Sequence, residues 1–292
     1  IFRKNRSFRV VHCSHYIPDA GDQELYHLYR DHVPFEPYEN LMNALFYGEL
    51  VPVFDTHAFR IYDQDRLIGL GQTAIRTVAE GIKDLEKIKA LGFKGVMMPG
   101  NPAFSDYDDP AYDAFWEAAV ALDLPLSFHI LTSSADVANR PRGPRINSFL
   151  TIIRGCQDIM AMLILSGVFE RHPKLKVACV EADAGWAPHF SYRMDHAYKR
   201  HRYWMKGKEL AKLPSEYFRE HISLTFQDDW TAFQFADRLG PNQLMWANDF
   251  PHSDSTWPWS QDVLSEQTSH LSPELKKRIL RDNVAELYKL AA

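Results

Sequence analysis

The sequence predicts an α/β chain built as a (β/α)8 (TIM) barrel, regular or distorted, on three observations. Short β-branched or apolar runs recur along it, longer stretches of helical periodicity lie between them, and several runs are apolar at consecutive positions. Consecutive apolar residues suit parallel strands covered on both faces, and strand–helix alternation suits a parallel barrel.

The predicted strands are, in order, FRVVHC (8–13), LVPVFDTHA (50–58), LIGLGQTA (67–74), GVMMPG (95–100), LPLSFHI (124–130), LKVACVEAD (175–183), ISLTFQ (222–227) and QLMWANDF (243–250), the second being the weakest pattern. A helix is expected over Thr77–Leu91, where Val78, Ile82, Leu85 and Ile88 recur at helical spacing and Gly92 stops the run. Asp109-Pro110 opens a second helix through Phe115 and Ala119, and Ser148–Arg171 reads as one long apolar helix before His172-Pro173. Pro188 starts another that carries His189, Tyr192, His196 and Arg200 along nearly one face, and Ser272-Pro273-Glu274 caps the last. The segment 19–49, rich in Tyr, Asp, Glu and Pro, has little periodicity and reads as an insertion or lid.

With 292 residues, 46% hydrophobic, the chain can bury a large core, and no linker or repeat divides it, so a single domain over 1–292 is expected. A formal charge of −5 argues against nucleic acid as a partner. The longest apolar stretch, around Met160–Phe169, is too short and interrupted to span a membrane. No secretory signal opens the chain, and Cys13, Cys156 and Cys179 are odd in number and widely spaced, which predicts free thiols and a cytoplasmic location.

The chemistry gathers at strand ends. The first run closes on His12-Cys13-Ser14-His15, the fifth on Phe128-His129, the sixth on Glu181-Ala182-Asp183 and the last on Asn248-Asp249. In a barrel the carboxyl ends of all strands meet on one face, so residues a hundred positions apart can share an ion. Imidazoles with a carboxylate suit one divalent ion, zinc first and manganese second. Taken singly, His129 is a typical hydrogen-bonded core histidine and Asp249 a typical helix N-cap. Their coincidence at strand ends favours the site.

The motifs NDFPHSDSTWP (248–258), ALGFKGVMMPG (90–100), LPLSFHI, SGVFERHPKLKV (166–177) and RDNVAELY (281–288) resemble, in order, those of the amidohydrolase-related family, in the branch of aminocarboxymuconate-semialdehyde decarboxylase. The resemblance implies a metal-dependent hydrolase or decarboxylase acting on a small carboxylated or aromatic molecule. It implies His129 and Asp249 as metal ligands and a first-strand pair one residue apart, which falls on Cys13 and His15. The family usually has His, Glu or Asp where this chain has Cys13. An alternative first-strand pair is Asp55 and His57 in VFDTHAFR. Many relatives carry a sixth-strand His for proton transfer; here Glu181 stands there, and His252 is the other candidate for that role. Arg142, in the loop after His129, could grip an anionic substrate, and Trp186 could pack against a planar one. A homodimer is left open. The different-class alternative is a relative that has lost its metal and serves as a binding or scaffold protein.

Overall fold

A computed structural model describes residues 2–4, 7–9, 68–102, 104–129, 143–240, 242–250 and 254–290. The chain divides into two compact units, Ile1–Ile68 with Asp249–Trp257, and Gly69–Asn248 with Pro258–Ala292. In the first unit, β1 (Phe2–Lys4) and β2 (Ser7–Arg9) form an antiparallel pair with Lys4 opposite Ser7. The run expected as the first barrel strand, 8–13, therefore begins as one arm of a hairpin. Only two residues separate its arms, far too few for a parallel crossover. The rest of that run, the run 50–58 and the segment 19–49 lie outside the described residues.

The second unit is built on six parallel strands in chain order: β3 (Gly71–Gln72), β4 (Val96–Pro99), β5 (Leu126–His129), β6 (Val177–Cys179), β7 (Ile222–Phe226) and β8 (Leu244–Trp246). Each falls within a run read from the sequence. Val96, Met98 and the whole of β6 are buried, which explains why β4 and β6 are apolar on consecutive residues, whereas β7 is buried at alternate positions and reads ISLTF.

The helices between them are α1 (Val78–Ala90), α2 (Asp113–Ala121), α3 (Phe149–Leu165), α4 (Ala187–His201), α5 (Pro214–His221), α6 (Ser260–Gln267) and α7 (Asn283–Tyr288). Thr77 caps α1 by accepting from the Glu80 N–H. The apolar stretch expected as one helix to Arg171 is broken after Leu165. Gly167 takes the left-handed conformation, φ 73°, and starts a separate turn over Val168–Arg171. Among the described residues no helix is long and apolar enough to cross a membrane.

Two side chains, the buried Asn283 and the half-buried Tyr288, tie α7 to the sheet. Asn283 Nδ2 donates to the Leu244 carbonyl at 2.8 Å, and the Tyr288 and Ser127 hydroxyls pair at 3.2 Å. These contacts account for Asn283 and Tyr288 of the RDNVAELY motif as structural residues. Beside β5, Tyr107, Tyr112, Trp116 and Phe128 pack ring against ring with centroids 5.2–5.8 Å apart. Burial pushes the Tyr107 phenol well up, so it remains a donor, to the Pro99 carbonyl at 2.6 Å.

Asp113 locks α2 to the turn that follows α3. It accepts from Arg171 Nε and Nη2 at 3.0 and 2.9 Å and contacts His172 Nε2 at 3.0 Å. Burial would raise its carboxyl pKa, but these hydrogen bonds outweigh that and hold it below the usual range. A depressed carboxylate contributes stability that is present above its unfolded pKa and lost as pH falls through the folded one. Asp113→Asn is therefore expected to lower Tm by a few degrees at neutral pH, and by progressively less as pH falls through the lowered native pKa of the carboxylate. Thermal melts of both proteins across pH would check this; an equal difference at every pH would contradict it.

Candidate active site at the carboxyl ends of β5 and β6

Parallel register brings two of the expected residues together. Phe128 on β5 lies opposite Cys179 on β6, and the Val180 N–H donates to the Phe128 carbonyl at 3.0 Å. His129 is thus the last residue of β5, and Glu181 stands two past the end of β6. His129 Nε2 and the Glu181 carboxyl group share a hydrogen bond. Their side chains are 15% and 18% exposed, so the pair is largely desolvated yet open on one side.

The backbone that holds Glu181 is unusual. Glu181 and Asp183 both sit at φ 55°, in the left-handed region that non-glycine residues rarely occupy. Such a conformation costs about 1–2 kcal/mol per residue and persists only where the surroundings enforce it. Thr225 on β7 does part of this, its Oγ1 accepting from the Glu181 N–H at 3.1 Å. Asp229 does more. Its Oδ2 accepts from the N–H groups of Ala184 and Gly185 at 2.9 and 2.6 Å, while Oδ1 accepts from the Ala232 N–H at 3.0 Å. One carboxylate therefore pins the loop after β6 and caps the turn Trp230–Gln234 after β7. Sequence reading missed Asp229. Its signal was an Asp directly before a helical run at the end of a strand, the ordinary N-cap pattern.

Trp186 closes the same loop. Its indole N–H is shared by the carbonyls of Ala182 and Asp183 at 2.7 and 3.0 Å, and its ring meets Phe190 and Phe218 edge-on. The donor of this residue is thus committed to shaping the turn. Asp249 also has φ 55° and opens the Asp249–Trp257 segment of the other compact unit. Cys13, His15, Asp55, His57, Arg142 and His252 lie outside the described residues. The structure therefore brings His129 and Glu181 together and shows how the Glu181 loop is held.

An imidazole nitrogen and a carboxylate facing one another at adjacent strand ends are the donor types that divalent first-row ions take. The His129 imidazole fits such an ion, with the Glu181 carboxyl group beside it as its hydrogen-bond partner. Gly185 is needed for the clamp beside them, because an added Cβ would fall 2.6 Å from Thr231 Cβ and 2.7 Å from Asp229 Oδ1. Gly185→Ala is expected to destabilise the protein by roughly 1–3 kcal/mol, read from denaturant unfolding. A neutral result would mean that Asp229 does not hold this loop.

Comparison with known proteins places this geometry. The sequence profile of the Amidohydrolase family matches residues 58–290. The fold resembles 5-carboxyvanillate decarboxylase from Sphingomonas paucimobilis, 23% identical, with a TM-score of 0.71 over 80% of this chain and 70% of that one. It also resembles 2,6-dihydroxybenzoate decarboxylase from Rhizobium, 21% identical, TM-score 0.59, over 78% and 72%. A third similar structure is dihydroxybenzoic acid decarboxylase from Polaromonas sp. JS666, 22% identical, TM-score 0.63, over 81% and 73%, which holds manganese and the inhibitor 2-nitroresorcinol. With the family profile covering most of its length and the six described strands in barrel order, the chain belongs to the amidohydrolase family, metal-dependent hydrolases and decarboxylases built on a (β/α)8 barrel.

Proposed function

We propose that this chain is a metal-dependent decarboxylase of a small aromatic carboxylate, with His129 and Glu181 at its centre. The observation that carries the reading is the hydrogen bond between these two side chains at the carboxyl ends of β5 and β6. The decarboxylase names of the three similar structures support the choice of reaction. Nothing in the comparisons supports the non-catalytic alternative.

His129 would hold the ion, with Asp249 and either Cys13 and His15 or Asp55 and His57 as the further ligands. Zinc is our reading because a thiolate at Cys13 favours it; manganese, bound in the Polaromonas enzyme, is the second. When bound, such an ion supplies positive charge that holds a substrate carboxylate and stabilises the charge that develops as CO2 leaves. The remaining steps belong to the protein. Breaking the bond to CO2 leaves an electron pair on the ring carbon, and that carbon must take one proton. Glu181 is the group we assign to hold and deliver it, with His252 as the other candidate. The hydrogen bond from its own N–H to Thr225 keeps Glu181 beside His129. Arg142 would bind an anionic group of the substrate, and the exposed part of Trp186 would flank its ring. Hydrolysis is the second reading, favoured by Glu181 itself, which stands where decarboxylating relatives usually have His. A cytoplasmic location agrees with the free, buried thiols of Cys156 and Cys179, and we leave a homodimer as a proposal.

The test is an assay of CO2 release from hydroxybenzoic acids beside ester, lactone and amide cleavage. Decarboxylation that stops on chelation and returns with zinc or manganese is expected; activity untouched by exhaustive chelation would contradict the proposal. His129→Ala should lower kcat/KM at least about a hundredfold. Glu181→Gln should retain metal and lose roughly 10²–10⁴ in kcat. Unchanged turnover in Glu181→Gln would move the proton-transfer role to His252.

A further inference from the structure

A cavity of about 490 Å³ lies on the outside of the sheet, between α4, α5 and the turn Ala236–Leu239. That volume is in the range of small-molecule sites, roughly 300–1,000 Å³. It is separate from the strand-end pair. Gln243, at its floor, directly precedes β8, and α5 runs into the start of β7, so this part of the cavity is at the amino ends of the strands. His129 and Glu181 are at the carboxyl ends.

Its lining combines two features that favour a planar anion. Arg219 and Arg238 both face it and are exposed, and neither side chain has an ion pair or hydrogen bond among the described residues. Two like charges share one concavity, and neither guanidinium is ion-paired to a carboxylate among the described residues. The one acidic group of the lining, Asp195, accepts from the Ser215 N–H and hydroxyl at 2.9 Å each and keeps its negative charge, so the cavity carries two positive groups against one. Tyr192 and Phe235 line the same cavity and are 62% and 45% exposed, offering aromatic surface with little cover.

The floor is incompletely satisfied. Gln243 is 2% exposed, and its Nε2 donates to the carbonyls of Phe218 and Ile222 at 2.8 and 2.9 Å. Only the NH2 end of the amide can donate to two carbonyls, so the orientation is fixed. That leaves Oε1 as a buried acceptor with no partner among the described residues; a carboxylate has no proton to give it, so it takes no part in recognising an anion.

We propose that this groove is a second binding site, for small aromatic carboxylates, gripped by Arg219 and Arg238 and flanked by Tyr192 and Phe235. Guanidinium forks match a carboxylate in geometry and charge, and aromatic faces stack on a planar ring. The inference does not rest on the reading of the strand-end pair.

The test is a titration of the full chain with benzoate, phenol and acetate, followed through the side-chain amide resonances of Gln243. Reading the signal at Gln243 keeps it apart from any binding at His129. Benzoate should shift these resonances saturably, with phenol and acetate at least about tenfold weaker, because each lacks one half of the recognition. The double variant Arg219→Ala/Arg238→Ala should lose the benzoate response while keeping the wild-type thermal melt, since both side chains are exposed. Should that variant unfold, Arg219→Gln and Arg238→Gln singly should each weaken benzoate severalfold. The proposal is overturned by no saturable response to benzoate, by an undiminished response in the double variant, or by a concentration-dependent mass showing that a second copy of the chain fills the groove.

Discussion

The register between β5 and β6 is the constraint on which the candidate site depends. Phe128 opposite Cys179 fixes where both strands end, and one ladder bond from Val180 carries the pairing past the last strand residue. A slip by one residue would turn Glu181 to the other face and away from His129. The burial of Phe128, Ala178 and Cys179 sets that register by the apolar contacts it would cost to move them. The packing of the core therefore places the polar pair.

Placement by register alone does not aim a carboxylate. That is the work of the left-handed turn at Glu181 and Asp183 and of the clamp formed by Thr225 and Asp229. Backbone strain of this kind is retained where something compensates it, and three hydrogen bonds to a single Asp229 carboxylate are a direct form of compensation. The glycine at 185 is part of the same device, because only a residue without Cβ lets Asp229 and Thr231 approach so closely.

Much of the second unit could be read in advance because parallel strands such as β4 and β6 are buried on both faces, leaving runs such as VMMP and VAC with no alternation to confuse them. His129 and Glu181 were found because polar residues at the ends of apolar strands stand out. What was not legible depends on the conformation of single residues. Gly167 divides a stretch whose periodicity is otherwise helical. Arg278–Asp282 forms a π-type turn before α7 that no spacing rule announces. Ser7–Arg9 turned out to belong to a hairpin, because a strand's partner is not written in its own residues. Asp229 was overlooked because an N-cap is common, and its further grip on the loop after β6 is a tertiary fact.

Family membership implies a metal-dependent enzyme, and our proposal places the ion at the strand ends. The family supplies the expectation of a metal, and the His129 imidazole at the end of β5 supplies a donor of the right kind. The most direct measurement is elemental analysis of the purified wild-type chain and His129→Ala after equilibration with zinc or manganese. The account predicts close to one equivalent of ion in the wild type and a large loss in the variant, with both folded by circular dichroism. Equal metal content in the two proteins, or none in either, would contradict it.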